Sequence, residues 1–313
     1  MLRMLLFFCV LISSVSANED GVTAPQWLEK MQQAMKVLEY QGTVVFFKNG
    51  RLDSMKYFHA VDAGKEQERL VSLNSPMREV VREDGKVSCV FKSSKEVVIN
   101  HRPVSESFIV NLPDDFTVLD TIYQFAVVGD ESVVMRAAKI ISIQAKDAYR
   151  YSRKIWIDKE YFLPLKIEVY DSSGKTLEQI VFNDLQIEKN VDYLKMDFHA
   201  EDNIRHVHKL ASLSLDAAGF EATQIPAGFD VVFFTRMEGN DSAQMVEHLL
   251  LSDGFSSISV YTEIKASDTV EELQTLGDVN SVTRIIDELQ ITAMGEVPAA
   301  GVQLVAQGVK LKQ

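Results

Sequence analysis

His206-Val-His208 is the pair whose residue types and spacing bear most directly on chemistry. In an extended segment, residues two apart share a face, so both imidazoles could grip one metal ion, with His199 or Asp202 as a further ligand. No third ligand stands at a fixed spacing, and the surrounding sequence is mixed and polar. The two side chains therefore read as exposed histidines, and no metal is expected. His59, His101 and His248 are scattered singly. Cys89 lies in the strand-like run Lys86-Val-Ser-Cys-Val-Phe91 without a neighbouring activator, which reads as a buried, inert thiol. Carboxylates are plentiful, yet no acid and base pair stands out, and they read as solvated strand faces and turns. G-x-S-x-G, H-E-x-x-H, the glycine-lysine phosphate loop and C-x-x-C are all absent from the sequence. No catalytic residue and no cofactor is expected, and binding is the expected mode of action. Asn240-Asp-Ser242 has the form of a glycosylation sequon, which matters only in a eukaryotic secretory route.

The first residues set the compartment. Met1-Leu-Arg3 precedes an apolar run from Met4 to Ile12, and Val15-Ser16-Ala17 follows with small residues. These are the three parts of an export signal, with cleavage expected after Ala17. The apolar run falls short of the roughly 20 residues that span a bilayer. Cys9 sits inside that run with no small-residue junction of a lipoprotein, and cleavage removes it. Cys89 then has no internal partner, so stability must come from burial rather than disulfides. The formal net charge is −13, and loss of Arg3 takes it to −14. That balance argues against a nucleic-acid partner. It leaves room for a local basic patch, such as Arg150, Arg153 and Lys154, to meet an anionic ligand.

The elements that must carry any site are mainly strands. Trp27, Leu28, Met31, Ala34, Met35 and Leu38 recur at helical spacing, with Thr23 and Pro25 as start signals. After Tyr40 the period changes to that of strands for about 150 residues. Asn49-Gly50 predicts a tight hairpin between Thr43–Lys48 and Arg51–His59. That register puts Phe47 with Leu52 on one face and Val44 with Met55 on the other. Neither face is uniformly polar, which predicts one face on the core and another lining a groove. Met77–Arg82 and Lys86–Phe91 flank Asp84-Gly85 as a second hairpin. Lys139–Gln144, Tyr149–Ile157, the alternation of Leu165, Ile167 and Val169, and Thr176–Ile187 complete a long antiparallel meander. Asn190–Ala218 reads as a linker. A second domain follows, with strands at Phe229–Arg236 and Ser256–Glu263, a turn at Ser252-Asp-Gly254, and a hairpin of Val282–Ile286 with Leu289–Met294. A last helix starts at Pro298 and carries Val302, Val305, Ala306 and Val309 on one stripe.

Several of these segments, in order, resemble the RseB/MucB family of periplasmic regulators of the envelope-stress sigma factor. Leu38–Phe46 with Arg51–Lys56 and His59 looks like the family's opening hairpin, and Pro76–Val81 like its next segment. Asp147-Ala-Tyr-Arg-Tyr-Ser-Arg-Lys-Ile-Trp-Ile-Asp158 is the longest match, followed by Leu163-Pro-Leu165, Asp171–Gly174 and Leu177–Gln179. Ile225–Phe229, Ser252-Asp-Gly-Phe255 and Gly295-Glu-Val-Pro298 continue it in the second domain. At Glu131–Ala137 the chain departs from the family's usual Gly-Arg pair.

The resemblance implies a mainly β fold with α (α+β): a large LolA/LolB-like curved antiparallel half-barrel closed by helices, plus a smaller C-terminal α+β domain. It divides the chain into a signal peptide (1–17), a lipid-sensing domain (18–189), a linker (190–218) and a C-terminal anti-sigma-factor-binding domain (219–313). It implies a periplasmic negative regulator of a sigma-E-type envelope stress response. The partner is the periplasmic region of an RseA/MucA-type anti-sigma factor, shielded from site-1 proteolysis and released when lipid or lipopolysaccharide binds. The competing reading is a periplasmic lipid or lipoprotein carrier of the LolA type, against which the second domain argues. Candidates for the lipid cavity are Val44, Phe46, Met55, Tyr57, Trp156, Leu165 and Ile167. Homo-oligomers occur in such families, and no sequence feature decides that point.

Overall fold

The computed structural model describes residues 21–312 except 63, 75–77, 84–85, 92–95, 102–106, 114, 189–203, 210 and 240–243; at 62, 96–101, 117 and 204–209 it describes the backbone alone. The signal segment, Cys9, His199 and Asp202 thus lie outside the described residues, as do the side chains of His101, His206 and His208.

Helix α1 (Ala24–Val37) starts where a capping box satisfies its first orphan N–H groups. The Thr23 hydroxyl accepts from the Gln26 N–H, and the Gln26 side chain accepts from the Thr23 N–H. Trp27, Leu28, Met31, Ala34 and Met35 form its buried face, as their spacing predicts. Leu38 turns extended and ends the helix.

Eleven strands then build most of one sheet: β1 (Tyr40–Lys48), β2 (Arg51–Asp62), β3 (Lys65–Ser72), β4 (Arg78–Glu83), β5 (Lys86–Phe91), β6 (Glu96–His101), β7 (Tyr123–Val133), β8 (Arg136–Ala145), β9 (Ser152–Asp158), β10 (Pro164–Tyr170) and β11 (Thr176–Ile187). With β12 (Ile204–Lys209), the order is β12-β6-β5-β4-β3-β2-β1-β11-β10-β9-β8-β7. The expected meander is therefore two meanders joined at β1, where Tyr40 pairs with Ile187. The sheet is open, with β7 and β12 as its outermost described strands. Asn49 and Gly50 both take positive φ, 55° and 72°, and the predicted pairs Phe47 with Leu52 and Val44 with Met55 form.

Two readings of the sequence are corrected here. The segment taken as linker contains β12, which runs parallel to β6. Its polar composition concealed a strand whose pairing is supplied by a partner about a hundred residues earlier. The strand predicted from Tyr149 starts only at Ser152, because Asp147 accepts the Tyr149 N–H and Arg150 Nε in a local turn.

The second domain has its own sheet and core. Strands β13 (Phe220–Ala222), β14 (Asp230–Glu238), β15 (Met245–Ser252), β16 (Ser257–Ile264), β17 (Glu272–Leu276), β18 (Val279–Ile286) and β19 (Leu289–Gly295) precede helix α2 (Ala299–Gly308) and β20 (Val309–Leu311). Six of them order as β14-β15-β16-β19-β18-β17, and β13 pairs with β20. Val302, Val305 and Ala306 of α2 are fully buried on Val260, Ile291 and their neighbours. Val309 belongs to the same core but to β20. The fold is thus mainly β with α, a large sheet covered by α1 and a smaller α+β domain behind it. Among the described residues, no helix is long and apolar enough to cross a membrane.

Candidate functional site

Two features of the fold bear on binding: the buried face of the large sheet, and the seam where the second domain meets it.

On the sheet, Val44, Met55, Tyr57 and Ile167 share one core with Leu28 and Met31 of α1, and Phe46 packs against it half-buried. Five of the seven cavity candidates therefore lie together, on a face filled by α1 and by Phe108, Ile109, Val110 and Leu112. Trp156 and Leu165 lie elsewhere, with Val133 and Ala138 in a separate cluster. Trp156 lies opposite Ile155 and Ile157 by ordinary alternation, and a β-bulge brings Leu165 to its side. Pro164 pairs with Ile157 and Lys166 with Trp156, so Leu165 is the extra residue and leaves the face that Ile167 keeps. The clean alternation of Leu165, Ile167 and Val169 gave no sign of it. The other face of the first hairpin is open, with Leu52 exposed.

Beneath this core runs a buried polar network. The Glu68 carboxylate accepts from Tyr57 Oη (2.7 Å), Arg82 Nε (2.7 Å), Ser107 Oγ (2.6 Å) and the Phe108 N–H (3.0 Å). Arg82 also donates to Glu66 at 3.0 Å. Those bonds tie the segment Ser107–Leu112 down across the sheet. His59, read as an isolated histidine, is buried, with Nδ1 2.8 Å from the Leu38 carbonyl and its ring stacked on Tyr40. Burial holds its pKa below the usual histidine value. His248 is buried too, stacked on Tyr261 at 4.3 Å, and burial pushes it down to about 4. Cys89, expected buried, is half-buried.

At the seam, the turn Ser252-Asp-Gly254 reaches into the first domain. Asp253 Oδ1 accepts the N–H groups of Phe255 (2.9 Å) and Ser256 (2.7 Å). Its Oδ2 accepts from Tyr123 Oη (2.9 Å) and Arg150 Nη1 (2.7 Å). Arg150 also donates to the Ala227 carbonyl at 2.6 Å and lies over the rings of Tyr123 and Phe229. Both charged side chains are 0% exposed. Burial, followed by the Asp253 charge, raises the Tyr123 hydroxyl above its ordinary range. Phe255 joins the first domain's core, edge-on to Tyr123 at 5.4 Å. Gly254 has φ +90°, and a Cβ there would stand 2.6 Å from Pro113 Cβ, so the turn admits no side chain. Asn280 Nδ2 donates to Tyr151 Oη at 3.1 Å and to the Val297 carbonyl at 2.8 Å. Of the basic patch anticipated at Arg150, Arg153 and Lys154, Arg150 and Arg153 are buried, Arg150 being neutralised from within, and Lys154 is half-buried over the Tyr170 ring.

A second charged group closes the other end of the seam. Lys48 pairs across the strands with Glu178. Its Nζ is 3.1 Å from Asp278 Oδ2, 3.9 Å from Glu178 Oε2, and bonded to Glu296. The three carboxylates present oxygens within 4.8 Å of one another. Between these anchors lie a cavity of about 170 Å³ lined by Ile109, Arg153, Ile167, Glu178, Phe255 and Glu296, and a cleft of about 360 Å³ lined by Asn111, Phe255, Ser259, Tyr261 and Met294. Of these residues, the sequence reading named Ile167 as a cavity candidate and Arg150 and Arg153 as part of a basic patch, and none of the others as a site. They do fall in segments it matched to a family: Arg150, Tyr151 and Arg153 in the longest, Asp253 and Phe255 in another, Glu296 in the last.

The match with known proteins covers both domains. The family model described as MucB/RseB N-terminal domain matches residues 23–200, and the MucB/RseB C-terminal domain matches residues 214–310. The chain belongs to the MucB/RseB family. Among the members, the sigma-E factor regulatory protein RseB of Escherichia coli (strain K12) is 25% identical over 297 residues, covering 94% of this chain and 93% of that one. The sigma factor AlgU regulatory protein MucB of Pseudomonas aeruginosa is 24% identical over 299 residues, covering 93% and 92%. The crystal structure of MucB in complex with MucA(peri) superposes with a TM-score of 0.75 at 23% identity, over 93% of this chain and 99% of that chain. The crystal structure of MucB superposes with 0.66, over 92% and 98%. The fold of this MucB/RseB chain is therefore that of its family in both domains and in their order.

Proposed function

We propose that this protein is a periplasmic negative regulator of a sigma-E-type envelope stress response. It binds the periplasmic region of an RseA/MucA-type anti-sigma factor and protects that factor from site-1 proteolysis. The observation that carries the reading is the match to both family domains, in order, from residue 23 to residue 310. Relatives matched over more than nine-tenths of their length are named as sigma factor regulators, and one solved relative is complexed with MucA(peri). The export signal expected at residues 1–17 supports the reading, since export would bring the chain to the compartment of such a partner's outer segment.

Release by lipid is the second part of the proposal. The face carrying Val44, Phe46, Met55, Tyr57 and Ile167 would receive the acyl chains once α1 or the segment Ser107–Leu112 moves aside. A lipid releases the partner only if it favours an arrangement that holds the partner less well. The seam, with its cleft and buried anchors, is where such a rearrangement would be felt. The buried carboxylates of Glu68 and Asp253 are engaged by donors that hold structure, which suits a binding protein.

The test is a cleavage assay. Adding the protein to the periplasmic fragment of an anti-sigma factor should slow its cutting by the stress protease, and anionic lipid should reverse the protection. Unchanged cleavage at saturating protein sinks the regulator reading. Protection that survives excess lipopolysaccharide and acyl lipid alike sinks the lipid switch and leaves the binding intact.

A further inference from the structure

The group at Lys48 carries an excess of negative charge that the other seam contacts do not. Glu178 on β11 and Lys48 on β1 come from the first domain, Asp278 from the turn between β17 and β18, and Glu296 from the end of β19. Three carboxylates thus face one ammonium, and two of the three arrive only when the second domain docks. The Asp278 side chain is 1% exposed and Glu178 17%, so water screens their repulsion poorly. Arg153 on β9 is the remaining cation that acts on Glu178, and it is turned to the Ser256 hydroxyl at 3.4–3.5 Å. The Tyr151–Asn280 bond beside the group is neutral. A divalent cation is the other way to neutralise three carboxylates, but the Lys48 ammonium already sits where that ion would go.

We infer that Lys48, Glu178, Asp278 and Glu296 form a proton-linked latch that holds the two domains together more tightly as the solution is acidified. Docking buries Glu178 and brings Glu296 and Asp278 against it. Burial first, and those two charges next, push its carboxyl up to about 7 from 4.5, against the pull of Lys48 and Arg153. Burial and Glu296 raise Asp278 in the same direction, against Lys48. A carboxyl whose pKa is higher in the docked arrangement than in the open one takes up a proton on docking. Docking is therefore unopposed below about pH 4.5, weakens as pH rises towards 7, and stays weakened above it. A rise of that size changes the docking equilibrium by at most on the order of 100-fold.

The measurement is the distance between spin labels on Ser172→Cys and Lys310→Cys, one in each domain, in the chain from residue 18 onward carrying Cys89→Ser. The expected result is a longer-distance population that grows from pH 5 to pH 8. Glu178→Gln should hold the short distance at both values. Glu296→Gln, at a half-exposed position with little folding cost, should reduce the slope. Glu188→Gln, on the exposed end of the same chain segment, should keep the wild-type slope. One distance distribution at both pH values, or a Glu178→Gln chain with the wild-type slope, overturns the latch. Neither outcome touches the cleavage assay, so the latch and the regulator reading fail separately.

Discussion

Asp253→Ala should separate the two domains energetically. The carboxylate it removes is fully buried and accepts four hydrogen bonds, two from its own turn and two from the first domain. Its loss strands the Arg150 guanidinium, whose side chain is 0% exposed, with Asp147 and the Ala227 carbonyl as remaining partners. Breaking a buried ion pair from one side costs about 3–5 kcal/mol, because a charge stays buried without its counter-charge. Asp147 still offsets part of that charge, which moves the ion-pair loss to the lower end. The two orphaned N–H groups of Phe255 and Ser256 add about 1 kcal/mol each. The expected loss is therefore about 5 kcal/mol. Both tryptophans of the chain, Trp27 and Trp156, lie in the first domain, whereas far-UV circular dichroism reports on both. Urea unfolding followed by the two signals should give one transition in the wild type and two in the variant. Arg150→Met added to Asp253→Ala should recover part of the loss, since no buried charge then remains. A loss below about 1 kcal/mol with superimposable transitions would refute the claim that this pair couples the domains.

Two further outcomes follow from buried groups. His248 is neutral at pH 7 because burial lowers its pKa to about 4, below the ordinary 6.5, so unfolding takes up a proton in acid. Stability from this group is intact above pH 6.5 and is lost as pH falls towards 4, by at most about 3 kcal/mol; His248→Phe should flatten the urea midpoint over that window, and an unchanged slope would count against it. Glu68→Gln removes the charge facing Arg82 and one acceptor from a site with four donors, for an expected loss of about 2–4 kcal/mol. The Phe108 amide should then exchange its hydrogen markedly faster, and unchanged protection would mean that Glu68 does not tie down Ser107–Leu112.

Local chemistry was legible in the sequence, and contacts across long separations were not. Thr23 and Pro25 announce the start of α1 because a helix start is signalled within a few residues of the cap. Asn49-Gly50 fixes a register because only residues tolerant of positive φ close a two-residue turn. Strand β12 was missed because nothing in its own polar composition names β6 as its partner. Leu165 was placed on the same face as Ile167, and lies on the other, because a bulge adds one residue without changing the hydrophobic pattern around it. Five of the seven cavity candidates still came out together, since the Val44–Met55 pairing is dictated by the turn next to it.

The seam marks the limit of that legibility. Arg150 looks like a surface charge in its own neighbourhood, and the residue that buries it stands 103 positions away. Asp253, in turn, looks like an ordinary turn residue, which it also is: one of its oxygens closes the turn while the other reaches Arg150 and Tyr123. A residue serving both roles cannot be told from one serving the first alone until the second domain is docked. The segments shared with the family pattern nevertheless converge there, from Asp147–Asp158, Ser252–Phe255 and Gly295–Pro298. Two of them supply opposite partners of the same contacts, Arg150 with Asp253 and Arg153 with Ser256 just beyond Phe255. Segments that would be unrelated if each domain acted alone make sense together if the relation between the domains is what the chain must specify. The proposed regulator, which gains and loses a partner, would draw on such a relation, with the buried pairs holding the domains and the group at Lys48 as the proposed means of loosening them.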